Sequence, residues 1–471
     1  MRITNKTLSN NFLADMQRNL ANLSKVQQQV SSTKNFSKPS DDPINVERAM
    51  QLQSSVNYTT QYGSNIKTAN TWMETTDTTL GQIGTVLSNI RKNLEQAGGV
   101  CTQDEKDKIN DAVSQEVQQL GTLLNTNFQG EYIFGGTTGL SKPITTTTDA
   151  KGIVTLQYAD KDGNAVNNVP DVASQNFDIT HWSGKSVTFN LLKSDGTVSK
   201  TVNLNVDNPT TAKSLDDVVK NLNSGIQSNS DFRDKINVVK TNDGNIKFIA
   251  VNSSDNITMS TDINDMNIAP SASKQLSNMT MENIGADKNI EISQGVVLSY
   301  NATASDIMQY GSDYNTTSGG SINALMDRVQ HHLAGQVLSD KRADKTTDVA
   351  SSDSDAINIP DSDGTAHYYA WKTDEDAAKK ELIGQDLADI DAASKKVLQV
   401  RSEIGAKEKR MSDLSTQNAA SITDLKEVLS KTEDIDVTQK TIEYYTSITV
   451  YQACLQTGGK VIQPTLLDYI R

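Results

Sequence analysis

Residues 66–94 read IKTANTWMETTDTTLGQIGTVLSNIRKNL. Within them Ile66, Ala69, Met73, Thr76, Leu80, Ile83, Leu87, Ile90 and Leu94 recur at alternating steps of three and four without a break. That spacing lines one side of an α-helix, and four heptads of it make a coiled-coil-like seam that needs partner helices. Gly98-Gly99 ends the seam, and a second helical face follows with Ile109, Val113, Val117, Leu120 and Leu124.

Working toward the N-terminus, Lys38-Pro39-Ser40-Asp41-Asp42-Pro43 breaks one helix and begins the next. Ser40, Asp41 or Asp42 can cap the free amides of the new helix, and Pro43 suits its first turn, where no amide hydrogen is needed. Before this break, Leu13, Met16, Leu20, Leu23, Gln27 and Val30 form a stripe. At the other end of the chain Ile435, Ile442, Tyr445, Ile448, Tyr451, Leu455 and Ile462 form a looser one. Neither terminal helix can bury its stripe alone, so the two are expected to lie antiparallel with everything else looped out between them.

The interior follows the same nesting. Residues 127–136, NFQGEYIFGG, read as a turn into a short apolar strand. Helical period then gives way to Thr, Val, Asn and Asp-Gly turns. Val187, Phe189 and Leu191 alternate before Asp195-Gly196, and Val202, Leu204 and Val206 alternate after it, as in a hairpin. Ser214-Leu215-Asp216-Asp217 starts a helix to about Ile226, and a second hairpin runs from Val238 to Phe248. Helical period returns at Ile322, Leu325, Met326, Val329 and Leu333, and again from Leu382 through Leu429. Between them, residues 338–376 are rich in Asp, Ser, Lys and Thr and read as a solvated acidic loop.

The expected fold is mainly α: nested antiparallel long helices with an inserted β-rich α+β domain. Residues 1–38 and 436–471 form a terminal helical assembly domain in this reading. Residues 39–136 and 301–435 form a helical rod carrying the acidic loop. Residues 137–300 form a β-rich outer domain with a ββαββ unit at 185–251.

Composition points to a structural role. Hydrophobic residues are 35% and aromatic residues 5% of the 471, which suits long helices better than one large round core. The net charge of −14 repels nucleic acid and anionic membranes. Two cysteines, Cys101 and Cys454, fall on distant elements, which speaks against a disulfide framework. No run of about 20 apolar residues exists, and the start MRITNKT has no apolar signal core. The chain is therefore expected to be cytoplasmic or exported without a cleaved signal.

Catalytic patterns are missing. The four histidines, His181, His331, His332 and His367, form no His-Glu-x-x-His motif, and adjacent His331 and His332 point about 100° apart on a helix. They read as solvated or capping residues. No phosphate loop and no Gly-x-Ser-x-Gly elbow occur. Asp160-Lys161-Asp162-Gly163-Asn164 and Asp361-Ser362-Asp363-Gly364 lack the first and twelfth ligands of a calcium loop, so both read as turns. No catalytic residue, metal or cofactor is expected.

The start Met1-Arg2-Ile3-Thr4, the segment Pro39–Pro43, residues Gly130–Gly136 and Arg401–Ala406 together resemble the flagellin superfamily. The tail VYQACLQ at 450–456, with IQPTLLDY at 462–469, is similar to the hook–filament junction branch of that superfamily. The resemblance covers roughly residues 1–136 and 376–471, and the ββαββ block resembles a repeat of hook and filament proteins. It implies an extracellular structural protein of the bacterial flagellum, exported through the flagellar type III apparatus. The implied partners are hook-associated protein 1, flagellin, further copies of the chain in a ring, and an export chaperone on the C-terminal helix before secretion. Assembly contacts are then expected at Leu13, Met16, Leu20, Leu23, Val30, Ile442, Tyr445, Leu455, Ile462, Leu466 and Leu467, with Ser40, Asp41, Asp42 and Pro43 as a helix start. Flagellin itself, an enzyme-bearing flagellin-like protein and a cytoplasmic coiled-coil scaffold remain alternatives on the sequence.

Overall fold

The computed structural model describes residues 5–166, 172–182, 184–193, 196–206, 214–241, 243–268, 273–311, 320–342, 347–353, 356–360 and 366–461. Among them the principal helices are α1 Asn5–Ser32, α2 Pro43–Ala97, α3 Gln103–Leu124, α4 Leu215–Ser228, α5 Ile322–Leu333, α6 Glu375–Glu381, α7 Leu387–Glu433 and α8 Val437–Val461. By internal contacts the chain divides into two units. One comprises residues 1–67, 291–296 and 412–471; the other comprises 68–290 and 297–411.

In the second unit every residue of the 66–94 seam from Ala69 onward is fully buried. The stretch is rich in threonine, a residue that weakens helices, and here the hydroxyls bond inside the helix. Thr75, Thr76, Thr78 and Thr79 each donate to the carbonyl four residues back at 2.9–3.0 Å. Thr76 can therefore occupy a seam position with no exposed surface and no unsatisfied hydroxyl. Two ion pairs set α7 antiparallel to α2: Arg401 grips both oxygens of Asp77 at 2.8 and 3.0 Å, and Arg91 Nε meets Asp391 at 2.8 Å. The start of α3 is held by a capping box between Thr102 and Glu105.

Helix α5 is buried nearly all round. Ile322, Leu325, Met326, Val329 and Leu333 are fully enclosed, and so is Gln330. The Gln330 side chain completes the strand Val154–Ala159, donating to Val154 O and accepting from Val154 N, both at 2.8 Å. An amide here satisfies a backbone that would otherwise be buried without a partner.

The β-rich part matches the expected class, with one topological surprise. The hairpins Ser186–Leu192/Val198–Asn205 and Ile236–Lys240/Ile246–Ala250 flank α4 as read from sequence, but they enter different sheets. The first is extended by Ile257–Thr261 and Ser273–Gln275, the second by Val172–Ala173 and by Ser277–Asn278, the last in parallel. Both sheets and α4 share a core built around Trp182, Phe189, Phe232 and Phe248. Strands distant in sequence close these sheets, which local alternation could not reveal.

Four expectations need correction. Residues 338–376 are not a solvated loop: strands Gln336–Ser339, Ile357–Pro360 and Ala366–Thr373 form a three-stranded antiparallel sheet. Its centre, AHYYAWKT, is only eight residues long, and the polar residues around it dilute the signal. Residues 131–136 are not an apolar strand. Asn127–Phe128 and Glu131–Tyr132 form a minimal hairpin, with Gln129 and Gly130 at positive φ, and Ile133 and Phe134 turn into the core. The helix expected from Leu382 opens with a π turn at Leu382–Asp386. Finally, His331 and His332 are buried rather than solvated, because α5 has no free face. Asp160 does form a turn, its Oδ1 accepting from the amides of Asp162 and Asn164 at 2.9 Å. Residues 361–364 lie outside the described residues.

Candidate assembly interface

The unit holding the chain ends is built from α1, the first part of α2, the last part of α7 and α8. Helices α1 and α8 pack antiparallel, as their stripes predicted. The register is fixed where the two connecting segments meet. Ile435 N donates to Thr33 O at 3.1 Å, and Asn35 N to Glu433 O at 2.7 Å. Lys34 Nζ reaches Asp434 Oδ1 at 2.9 Å and Glu433 at 3.3 Å. The hydrogen bond to Asp434 raises the lysine above its ordinary value. The Ser430 hydroxyl and Lys34 hold the Asp434 carboxyl below the usual carboxylate range. Thr33 adopts φ +57°, a left-handed conformation costly for a β-branched residue, so the reversal is held by its partners.

The second helix break resolves the open capping choice. Asp42 caps α2, its Oδ1 accepting from Asn45 N at 3.2 Å. Asp41 instead clasps the preceding turn through the amides of Ser37 and Lys38 at 3.2 and 3.1 Å. Donation from the Asn45 side chain lowers Asp42, and donation from the Ser37 backbone lowers Asp41. Pro43 is the first helical residue, and no role for Ser40 is visible.

The stripe of α1 splits into two. Phe12, Met16, Asn19, Leu23, Val26 and Val30 are half-buried or buried, the spacing of a seam against α8. Leu13 and Leu20 lie to one side and remain exposed, at 42% and 49%. On α8, Tyr444, Ile448, Tyr451, Cys454 and Gly458 are covered, while Ile442, Tyr445 and Leu455 are exposed at 63%, 64% and 46%. Phe12 packs directly over Gly458, and Asn19 Nδ2 approaches Cys454 Sγ at 3.7 Å. Both cysteines are free thiols. Of the expected contact residues, Met16, Leu23 and Val30 thus serve the pairing within the chain. Leu13, Leu20, Ile442, Tyr445 and Leu455 face outward. Ile462, Leu466 and Leu467 lie outside the described residues.

Two surfaces escaped the sequence reading. Ile44, Met50 and Tyr58 on α2 are exposed on the side away from Ala49, Val56 and Ile66, which are buried. A groove lined by Tyr58, Tyr62, Ile292, Leu414 and Asn418 adjoins them, with Asn418 Nδ2 donating to Thr59 O at 3.0 Å. A second period running through Pro43, Val46, Met50, Ser54 and Tyr58 was the available signal.

Charge is distributed unevenly. Residues 1–67, 291–296 and 412–471 contain 13 basic and 13 acidic side chains, so this unit is formally neutral and the −14 belongs to the other. From Tyr444 to Gly459 helix α8 has no charged residue. Low charge with exposed Tyr, Leu and Ile is the composition of a buried protein contact rather than of an ordinary wet surface. Among the described residues no group of His, Cys, Asp and Glu is placed to hold a metal, and no helix is long and apolar enough to cross a membrane.

Residues 3–138 match the family model described as the bacterial flagellin N-terminal helical region. Three solved structures are similar to the chain at low identity. A flagellar hook-associated protein from Vibrio parahaemolyticus is 11% identical with a TM-score of 0.41, covering 84% of this chain and 100% of that one. Flagellar hook-associated protein 3 of Legionella pneumophila is 14% identical with a TM-score of 0.36, covering 81% and 98%. FlgL of Xanthomonas campestris is 12% identical with a TM-score of 0.34, covering 80% and 99%. Likeness at this level carries no assignment. No curated protein matches the chain.

Proposed function

With residues 3–138 matching the helical N-terminal region of bacterial flagellins, we infer that this chain is a structural subunit of the bacterial flagellum. Its work is assembly rather than catalysis. The observation that carries this reading is the outward apolar set on the paired terminal helices, Leu13, Leu20, Ile442, Tyr445 and Leu455, on a formally neutral unit. Neighbouring subunits bring such units together without net repulsion, whereas two units of charge −14 repel at any separation within a Debye length.

The position within the flagellum is the junction of hook and filament. Asp42-Pro43 and the tail IQPTLLDY at 462–469 support this over the filament subunit itself. In this reading copies form a ring between hook-associated protein 1 and flagellin. Export runs through the flagellar type III apparatus, with a chaperone covering the C-terminal helix beforehand.

Gold-labelled antibody on sheared flagella tests the placement. One labelled band at the hook end is expected. Label along the whole filament makes the chain a filament subunit instead, and label confined to the cytoplasm overturns both. Leu20→Glu and Tyr445→Glu test the surface. Burying an unpaired charge costs more than the roughly 1.5–3 kcal/mol a buried Leu contributes. Each variant should fold as a monomer and be secreted, yet leave the hook without a filament.

A further inference from the structure

Helix α5, the π turn Leu382–Asp386 and the start of α7 enclose a group of charges that the assembly role does not use. Arg328 Nε donates to Asp386 Oδ1 at 2.8 Å, and its Nη2 donates to Asp389 Oδ2. Asp386 Oδ2 lies 2.6 Å from His332 Nδ1. Gln385 Nε2 donates to Asp389 Oδ1 at 2.8 Å. Asp386 is 0% exposed, His332 3%, Asp389 6% and Arg328 7%. A regular α-helix places residues 386 and 389 within one turn. The π turn, closing at i+5, sets where that turn faces, and here both carboxylates meet α5.

Charge counting gives the consequence. Two carboxylates against one guanidinium leave this enclosed group at −1 when the imidazole is neutral. An uncompensated buried charge is among the most costly features a fold can hold. One proton on the cluster brings it to zero.

We propose that near and above neutral pH, where the unfolded carboxylates and imidazole hold no proton, the Arg328–Asp386–His332–Asp389 cluster of the folded protein retains one, making the α5–π-turn junction a proton-dependent clamp. The other groups facing it are few. From the neighbouring loop comes Tyr310, whose ionisation is pushed well above its ordinary value by burial. On α5, His331 turns away to Gln336 and stacks on Trp371 at 3.8 Å, and Asp327 faces Thr155. Burial raises Asp389 above the ordinary carboxylate value, which agrees in sign. A group raised in the fold contributes stability that is complete below its unfolded pKa, about 3.9 for Asp, and lost as pH rises through its folded value. His331 is lowered by burial and has the opposite slope.

The test is urea unfolding of the full chain between pH 4.5 and 9, with wild type compared to Asp389→Asn. Trp72, Trp182 and Trp371 all lie in the unit that holds the cluster, so tryptophan emission reports its unfolding. Asparagine removes the excess negative charge without a proton, and the slopes of His331 and other groups are common to both proteins. The unfolding constant of wild type, divided by that of Asp389→Asn, should rise with pH. The expected slope approaches tenfold per pH unit, about 1.36 kcal/mol, for one proton. A ratio constant across the range overturns the proposal. Should Asp389→Asn fail to unfold cooperatively, carboxyl-carbon and imidazole-nitrogen resonances of wild type at about pH 8, where a free imidazole is neutral, decide. A proton on any of the three groups supports the clamp, and two ionised carboxylates beside a neutral His332 refute it.

Discussion

Gly458→Ala probes the pairing of the terminal helices at its tightest point. A methyl carbon on Gly458 would stand 2.5 Å from Cε1 and 2.6 Å from Cζ of Phe12. Carbon atoms rest at about 3.5–4.0 Å, so the ring must retreat by roughly 1 Å or leave its place. Overpacking of this kind costs about 1–3 kcal/mol. Alanine also favours the helix over glycine by about 0.8–1.0 kcal/mol, but that gain applies to α8 whether or not it is docked. The pairing equilibrium should therefore weaken by the overpacking term alone, roughly 5- to 150-fold. The measurement is amide hydrogen exchange across residues 9–30 and 440–458 in the full chain at low concentration. Faster exchange is expected in both helices, with helical circular dichroism unchanged. Phe12→Leu in the Gly458→Ala background should recover part of the protection, because the shorter side chain vacates the space. Equal or greater protection in Gly458→Ala alone would refute the idea that Phe12 on Gly458 sets the fit.

Other outcomes follow from the same structure. Gln330→Leu leaves Val154 N–H and C=O buried without partners and should destabilise the larger unit by about 2–5 kcal/mol in urea unfolding. Gly136→Ala should be worse tolerated than substitution at solvent-facing Gly152: Gly136 has φ +55° and its Cβ would collide with the carbonyl oxygens of Asn283 and Ile284, so a clear loss of Tm is expected. Acidification should loosen the 33–36/433–436 connection. Asp434 is lowered in the fold, so its contribution is present above about pH 3.9 and lost as pH falls through the folded value. Protection factors of the Asn35 and Ile435 amides, taken against the intrinsic rate at each pH, should fall toward pH 3 in wild type, and Asp434→Asn should show the lowered protection already at pH 6.

The route from sequence to interface was only half legible. The stripe at 13–30 announced a helix needing cover, but not which of its residues would be covered by α8. Met16 and Leu23 went inward and Leu20 outward, because the connection at 33–36 sets the rotation of α1 against its partner. Helix α8 carries apolar residues on every side, so the stripe expected through Ile442, Tyr445 and Leu455 is not the one that packs on α1; Tyr444 and Cys454, outside that stripe, are covered instead. Ile44, Met50 and Tyr58 went unnoticed since their stripe interleaves with a stronger one on the same helix.

The seam of 66–94, the helix stops at Gly98-Gly99 and Pro39–Pro43, and the two hairpins around α4 were determined by the sequence itself. Each rests on interactions within a few residues: periodicity, a cap, a turn. The pairing of those hairpins into separate sheets, the strand at 366–373, the enclosure of His331 and His332, and the π turn that brings Asp386 and Asp389 to Arg328 were decided only in three dimensions. Each depends on a partner more than 30 residues away, and a buried polar residue looks the same in sequence as a solvated one until that partner is in place.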